Sequence, residues 1–185
     1  LSAAYTIGLE WKRNTQLVLY RISGNSPLTA LMGKLLPQTL VFWLIYILYA
    51  VYFYRYLQYP CNSGIMAMIG VGMLTVLGAQ GFAAFLFGVC GQMRLSMCLC
   101  SLWGILSFSL AGFTYPVTAM APILQKLSVL FPLRHYYLLY VNQALNGYSI
   151  TYAWHSVLAL AIFALLPLIT LHHYRSLFTK VKYIP

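Results

Sequence analysis

The sequence predicts an all-α integral membrane protein with about four full transmembrane helices, one helix on the cytoplasmic surface and two re-entrant half-helices before the last span. Apolar residues make up 62% of the 185 residues and charged residues 6%, a balance that soluble domains of this size do not show. Four apolar runs are long enough to cross a hydrocarbon core of about 30 Å. We expect residues 1–185 to form a single transmembrane domain.

The chain opens on what we interpret as the end of an earlier apolar span, residues 1–7. Its first residue is Leu rather than Met, so we expect the sequence to begin inside a longer protein. Residues 8–34 follow, and they hold the longest regular run of charged side chains: Glu10, Lys12, Arg13, Arg21 and Lys34.

Helical spacing in residues 8–34 puts Trp11, Val18 and Ile22 on one stripe. We therefore expect a helix at the membrane surface with Trp11 at headgroup level. Glu10 is expected to pair with Arg13 or Asn14 on the helix surface. From the residues alone two interpretations stay open, a basic loop that anchors the chain to the membrane and a docking surface.

The first two complete spans are predicted over residues 35–54 and 64–91. Pro37 falls in the first turn of the earlier span, where proline is tolerated. The later span is rich in glycine and alanine, with Gln80 as its strongly polar mid-span side chain; interhelical hydrogen bonding is its commoner role and function the rarer one. Small residues four apart let another helix approach closely, and this span has two such pairs: Ala79/Ala83 and Ala84/Gly88.

The third and last spans are predicted over residues 95–114 and 152–173. Pro167 is expected to kink the last one. A basic tail then ends the chain, with His172, His173, Arg175, Lys180 and Lys182.

Residues 115–147 lie between these two spans and are too broken to cross a bilayer themselves. Pro116, Pro122 and Pro132 interrupt them, and each proline lacks a backbone donor. After Pro122 one apolar face is predicted, formed by Ile123, Leu124, Leu127, Leu130 and Phe131. After Pro132 a second short helix carries His135 and ends at Gly147. Two half-helices of this kind are tolerated at membrane depth where protein or a water-filled cavity covers their ends.

Basic residues are distributed unequally between the two sides. With four alternating spans, one side holds Lys12, Arg13, Arg21, Lys34, Arg94, Arg175, Lys180 and Lys182, and the other holds Arg55, Lys126 and Arg134. Cytoplasmic loops carry the excess of Lys and Arg. We therefore expect residues 8–34 and the C-terminus to be cytoplasmic and residues 115–147 to be on the outer side. The charge forms no aromatic-lined patch, so no nucleic acid partner is expected.

Several kinds of chemistry are missing from the sequence. Its single carboxylate, Glu10, excludes an acid/base pair and an acidic proton relay. There is no GxxxxGK[ST] phosphate loop, so we expect this chain not to hydrolyse ATP itself. The four histidines lack zinc-site spacing, and Cys98 and Cys100 have no His or acid near them in sequence. We predict no catalytic residues and no metal site.

With enzymes set aside, the residues resemble the permease subunits of type-2 ABC exporters, the bacterial multidrug and lipid export class. The first motif resembles the family's E-x-E/R-x-G-T … P … GK region, with Asn14 in place of the usual Gly and Lys12 in place of the second acid. It consists of Glu10, Trp11, Lys12, Arg13, Asn14 and Thr15, then Ser26-Pro27 and Gly33-Lys34. The resemblance implies that residues 8–34 form a coupling helix that docks on an ATPase subunit.

The second motif is similar to the family's S-G-x-x-[FY]-P … M-P … x-P-x-x-[HY] … G pattern. It runs from Ala111 to Gly147. Ala111 replaces the usual Ser, and Ala121 replaces the residue that usually precedes the proline. The resemblance implies that this stretch forms the two re-entrant half-helices and shapes an outer gate, with Tyr115, Pro116, Pro122, Pro132, His135 and Gly147 as its residues.

The resemblance covers nearly the whole sequence and implies the C-terminal part of a six-span permease. Two permease halves, identical or different, would pair around a central pathway in the bacterial inner membrane, in contact with membrane lipid. Two ABC ATPase subunits would bind ATP and Mg²⁺, and this chain would bind no cofactor. The cargo would be a drug, lipid or similar hydrophobic or amphipathic molecule. Two alternatives remain: a membrane scaffold or assembly subunit without an ATPase, and a passive channel, although no selectivity ring is present.

Overall fold

A computed structural model describes residues 1–180, which are mostly helical and contain no strand in this range. In chain order the α-helices are α1 (Ser2–Lys12), α2 (Gln16–Ile22), α3 (Pro27–Val51), α4 (Ile65–Cys90), α5 (Met93–Leu110), α6 (Pro122–Ser128), α7 (Pro132–Tyr140), α8 (Trp154–Leu165) and α9 (Leu171–Lys180). Four segments are long and apolar enough to cross a membrane: Pro27–Tyr56, Ile65–Cys90, Met93–Leu110 and Thr151–Thr179. The protein is therefore an all-α integral membrane protein, as the composition predicts.

Helix α4 lies at the centre and contacts α1, α3, α5, α7, α8 and α9. Its small residues explain this position. A Cβ atom on Gly81 would lie 2.5 Å from the Phe163 carbonyl oxygen of α8, a distance that no side chain tolerates. The backbones of α4 and α8 thus approach as closely as glycine permits, which is the usual device where membrane helices lack a hydrophobic driving force between them.

Helix α3 begins well before the predicted span. It starts at Pro27, the first helical position, and continues into a π-helical turn at Tyr52–Tyr56. The prediction that Pro37 lies in a first turn is therefore wrong, since Pro37 lies inside the helix. The predicted span begins at residue 35, directly after Lys34, but the ammonium group of Lys34 forms an ion pair with Glu10, and the helix continues through this position.

Helix α5 is shorter than predicted and ends at Leu110. Gly112 has a φ of +105° in the turn that follows, a conformation that glycine adopts without strain. The chain therefore leaves the helix before Tyr115. The preceding turn between α4 and α5 is equally sharp, because Gly91 caps α4 in the left-handed conformation with a φ of +65°.

The last span is divided in two at Pro167, where the sequence predicts a kink. A 3₁₀ turn at Leu166–Leu168 separates α8 from α9. Proline has no amide hydrogen to continue the helical ladder, and the next amides bond at shorter range, Ile169 to the Leu166 carbonyl and Thr170 to that of Pro167. Lys182 of the predicted basic tail lies outside the described residues.

Between α5 and α8 the chain forms two short helices, α6 and α7, and both begin with proline at the first helical position. Most of the predicted apolar face of α6 is exposed on this chain: Ile123, Leu124, Leu127 and Leu130. Phe131 was expected on the same face and is instead buried, because it adopts an extended backbone before Pro132 and its ring packs 4.8 Å from that of Trp103. Trp103 is near the middle of α5, so α7 starts inside the bundle.

The buried residues form two clusters at different heights of the bundle. The larger cluster joins α1, α2, the start of α3, the end of α4 and α9. We call this the basic end, since Lys12, Arg13, Arg21, Lys34, Arg94 and Arg175 belong to these elements or to the adjacent start of α5. The smaller cluster contains Val71, Leu139, Ala153 and Leu160. It lies toward the other end, which we call the opposite end, where the loop before α4 meets the π-helical turn after α7.

Candidate functional site

The predicted coupling segment is a corner between two helices rather than one continuous surface helix. Helix α1 ends at Lys12, and Asn14 takes a left-handed φ of +54°. The amide of Thr15 then donates to the Glu10 carbonyl at 2.9 Å, and α2 starts at Gln16. Asn14 stands where the resembling family has glycine. Asparagine is the residue that best replaces glycine in this conformation, so the corner is retained.

The carboxylate of Glu10 lies on the inner side of this corner. It forms an ion pair with Lys34 of α3 and accepts a hydrogen bond from the Thr15 hydroxyl. The expected pairing with Arg13 or Asn14 is wrong, because the side chain turns inward toward α3. Burial alone raises the pKa of Glu10, but the bonds from Lys34 and Thr15 and the charges of Lys34 and Arg13 outweigh it, so the net pKa is lowered.

Trp11 is 2% exposed, so its ring packs inside the protein rather than facing lipid. Its ring packs 5.1 Å from Phe87 of α4 and 4.9 Å from Phe178 of α9. Val18 and Ile22, which were expected on the same stripe, lie on α2 and are exposed. The helical period of 3.6 residues did not predict this arrangement because the helix is interrupted at Asn14. Trp11 therefore lies on α1, whereas Val18 and Ile22 lie on α2, which has a different orientation.

The predicted coupling residues thus divide into two groups of three. Glu10, Trp11 and Thr15 lie on the inner side, and Lys12, Arg13 and Asn14 are exposed. The exposed face of α2 adds residues that the sequence analysis did not select: Leu17, Val18, Arg21 and Ile22. The Gly24-Asn25 pair, both with positive φ, was the sequence signal for a short helix here.

The predicted gate residues do not form one cluster. Tyr115, Pro116 and Pro122 are exposed, whereas Pro132 and His135 are buried. His135 Nε2 lies 2.9 Å from the Val129 carbonyl oxygen, and its ring is 6.2 Å from that of Phe163. His135 therefore fixes the start of α7 against α8.

Gly147 lies away from these residues, next to the loop that precedes α4. Its φ is +66°, and a Cβ atom there would lie 2.9 Å from the Cβ of Asn62. Asn62 forms two hydrogen bonds with the turn after α7. Its backbone amide donates to the Ala144 carbonyl at 3.1 Å, and its side-chain Nδ2 donates to the Leu145 carbonyl at 2.7 Å. These bonds hold the loop before α4 against the turn after α7 at the opposite end.

The four predicted packing residues of α4 are not equivalent. Ala83, Ala84 and Gly88 are buried, and Ala79 is exposed. A Cβ atom on Gly88 would lie 2.6 Å from the Thr170 hydroxyl oxygen of the last span. The small residues at this position therefore let the last span pack directly on α4.

Gln80 bonds across helices, the commoner of its two expected roles. The Thr39 hydroxyl of α3 lies 2.6 Å from Gln80 Oε1, and Gln80 Nε2 has no partner. The side chain also borders an apolar groove of about 380 Å³ between α3, α4 and α8, which is within the size range of small-molecule sites. Among residues 1–180, no three His, Cys, Asp or Glu side chains are grouped as metal ligands.

Comparison with known proteins identifies a family for this chain. The model of the ABC-2 family transporter proteins matches residues 1–171, which include three of the four long segments whole and the last one, Thr151–Thr179, up to the first residue of α9. Neither the curated proteins nor the solved structures contain a match to the chain. Since the family model covers most of the 185 residues, the chain belongs to the ABC-2 transporter family: it is a multi-pass permease subunit of an ABC transporter, which associates with an ABC ATPase subunit.

Proposed function

We propose that this permease works in an ATP-driven exporter of the bacterial inner membrane and moves a hydrophobic or amphipathic molecule, such as a drug or lipid, out of the cell. Two copies of the chain, or this chain and a related one, pair around the pathway, and ATP and Mg²⁺ bind to the ATPase subunits. The single observation that carries the proposal is the exposed face of α2 at the basic end.

The α2 face has the composition of a protein-binding surface. Leu17, Val18 and Ile22 are large apolar side chains exposed on a short helix, with Arg21 among them. An apolar group with basic neighbours is typical of interface cores with charged rims. The ATPase binds this face, and Lys12 and Arg13 extend the contact around the corner.

The corner is built to pass on a displacement of α2. Its inner residues are held by α3 through the Glu10–Lys34 ion pair and by α4 through the Trp11–Phe87 contact. A packed core responds to such a displacement by moving between discrete arrangements rather than by bending. ATP binding therefore moves α2, and the corner carries this movement into the spans.

The orientation of the chain in the membrane follows from the distribution of its Lys and Arg residues. The basic end faces the cytoplasm, where Lys and Arg are favoured, and α6 and α7 lie toward the outer side. There Tyr115, Pro116, Pro132 and His135 shape the outer gate. The groove beside Gln80 is apolar with one amide group, which suits a hydrophobic cargo that carries one hydrogen-bonding group.

The test is co-purification of the full-length permease with its ATPase from membranes in mild detergent. Ile22→Glu puts a charge in the centre of the proposed contact and should abolish recovery of the ATPase. Tyr152→Glu is the matched control, because Tyr152 is as exposed as Ile22, at 80%, but lies at the opposite end. If both variants recovered the ATPase equally well, docking at α2 would be contradicted. If the unaltered permease recovered no ATPase, the scaffold alternative would be favoured.

Transport is tested separately in vesicles that contain the complex. ATP-dependent accumulation of a fluorescent hydrophobic dye in inverted vesicles is the expected result for an exporter. Current that is driven by voltage in the absence of ATP would instead indicate a channel.

A further inference from the structure

Helix α9 lies almost entirely beyond the residues that the family model matches, which end at 171. It is nevertheless part of the basic end. Tyr174, Leu177 and Phe178 are at most 3% exposed, whereas His172, His173 and Arg175 are exposed. The inner side of α9 is therefore apolar and aromatic, and its outer side is basic.

Five aromatic rings from four helices meet at this inner side: Trp11, Tyr20, Phe87, Tyr174 and Phe178. We call them the aromatic junction. Phe178 lies 4.9 Å from Trp11, 5.5 Å from Tyr20 and 6.2 Å from Tyr174. Phe87 completes the set, 5.1 Å from Trp11 and 6.3 Å from Tyr174. Phe178 is thus the residue that joins α1, α2 and α9.

Helix α2 needs such support because it has seven residues. A helix of this length is not stable in water by itself, so its position depends on packing. Most of its apolar side chains face outward, and its buried residues are Gln16 and Tyr20. The ring of Tyr20 stacks on Phe178 with an interplanar angle of 16°, so α9 supplies a large part of the surface on which α2 rests.

Helix α9 is in turn fixed to α4. The Tyr174 hydroxyl donates to the Ala84 carbonyl oxygen at 2.6 Å, inside the cluster of the basic end. The same ring lies 2.8 Å from where a Cβ atom of Gly88 would be. A continuous path of contacts therefore runs from α2 through Phe178 and Tyr174 to α4.

We propose that α9 holds α2 in the orientation that binds the ATPase, and that Phe178 is the positioning residue of this contact. The inference rests on the proposed docking at α2 and adds a second support beside the Glu10–Lys34 pair. Helix α9 then contributes to ATPase binding by supporting α2.

The first measurement uses pairs of spin labels on the full-length permease without its ATPase, with its native cysteines replaced by alanine. One pair joins Val18 on α2 to Gln58 at the opposite end. The reference pair joins Arg94, in the first turn of α5 at the basic end, to the same Gln58. We expect Phe178→Ala to broaden the Val18–Gln58 distance distribution at least twofold and to leave the Arg94–Gln58 distribution unchanged.

The second measurement is the affinity of the unlabelled permease for its ATPase. Phe178→Ala should weaken binding about tenfold, since the ring contact to Tyr20 of α2 and the one to Trp11 of the adjoining α1 are lost. Tyr20→Phe keeps the ring and should bind normally. Phe53→Ala is the matched control, because Phe53 also contacts three rings, those of Tyr49, Tyr52 and Tyr59, but lies toward the opposite end; it should bind normally as well.

Three results would overturn the inference: an unchanged Val18–Gln58 distribution in Phe178→Ala, equal broadening of both label pairs, or normal ATPase binding by this variant. Equal broadening would mean that α9 supports the whole fold rather than α2. Phe178→Leu, which keeps an apolar side chain in the core, decides the matter if the alanine variant does not fold. Failure of the unaltered permease to bind an ATPase would instead contradict the proposed docking and would leave the label result as it stands.

Discussion

The two ends of the bundle are held together by different kinds of interaction. At the basic end, the contacts join side chains of different helices: Glu10 of α1 pairs with Lys34 of α3, and five rings from four helices pack together. At the opposite end, the rings around Phe53 belong to neighbouring residues of one chain segment, and Asn62 links the loop before α4 to the Leu145 carbonyl. The end that we propose to move is thus the one whose charged and aromatic side chains join several helices.

The largest expected effect comes from the ion pair at the basic end. Glu10→Ala leaves Lys34 half-buried without a counterion and removes the acceptor of the Thr15 hydroxyl. Bonds to charged groups contribute about 1.5–3 kcal/mol, so we expect the free energy of unfolding to fall by about 2–3 kcal/mol. Denaturant unfolding in detergent micelles measures this. A loss below 0.5 kcal/mol, roughly that of an exposed pair, would show that the pair does not hold the corner.

The same pair should make the basic end sensitive to acid. The pKa of Glu10 is lowered in the folded protein. The stability that ionised Glu10 adds is therefore fully present above the ordinary carboxyl pKa of 4.5, and it is lost as pH falls through the lowered pKa. Acid should therefore destabilise the unaltered protein more than Glu10→Gln, which has no charge to lose. Identical pH curves for the two proteins would contradict the lowered pKa.

At the opposite end, the strongest effect is expected at Gly147. An alanine there must adopt a φ of +66° and place its Cβ 2.9 Å from that of Asn62. The left-handed conformation costs about 1–2 kcal/mol for a residue with a Cβ, and the same loss of unfolding free energy is expected. Gly104→Ala is the control, since no atom lies within 4 Å of the Cβ site of Gly104; a similar loss in both variants would exclude a specific effect of the turn.

The side chain of Asn62 tests the carbonyl contact without backbone strain. Asn62→Ala removes the Nδ2 donor to the Leu145 carbonyl and keeps the backbone bond to Ala144. Because the residue is exposed, water replaces the lost donor, and we expect a loss of about 0.5–1 kcal/mol. Hydrogen exchange at the amides of residues 141–148 should become faster while exchange in α2 stays the same. Faster exchange in α2 would show that the two ends are coupled through this contact.

The sequence predicted the opposite end better than the basic end. Pro122, Pro132 and Gly147 act through their own backbone restrictions, which are visible in the sequence, and α6 and α7 begin at these prolines as expected. The partners of Glu10 and Trp11 are Lys34, Phe87 and Phe178, which are far apart in the chain and which no periodicity links. The predicted span starts too late, at residue 35, for the same reason, since the neutralisation of Lys34 depends on a residue 24 positions away.

The smallest expected effect concerns Asn14, where the chain departs from the glycine of the resembling family. The residue holds a φ of +54° and is exposed. Glycine relieves the left-handed strain but gains freedom in the unfolded chain, and these effects oppose each other. Asn14→Gly should therefore change the free energy of unfolding by no more than about 0.5 kcal/mol, as measured by denaturant unfolding. Asn14→Val cannot adopt this conformation without strain and should lose more, about 1–2 kcal/mol. If valine were tolerated as well as glycine, the corner would not depend on its left-handed residue, and α1 and α2 would be free to join into the continuous helix that the sequence pattern favours.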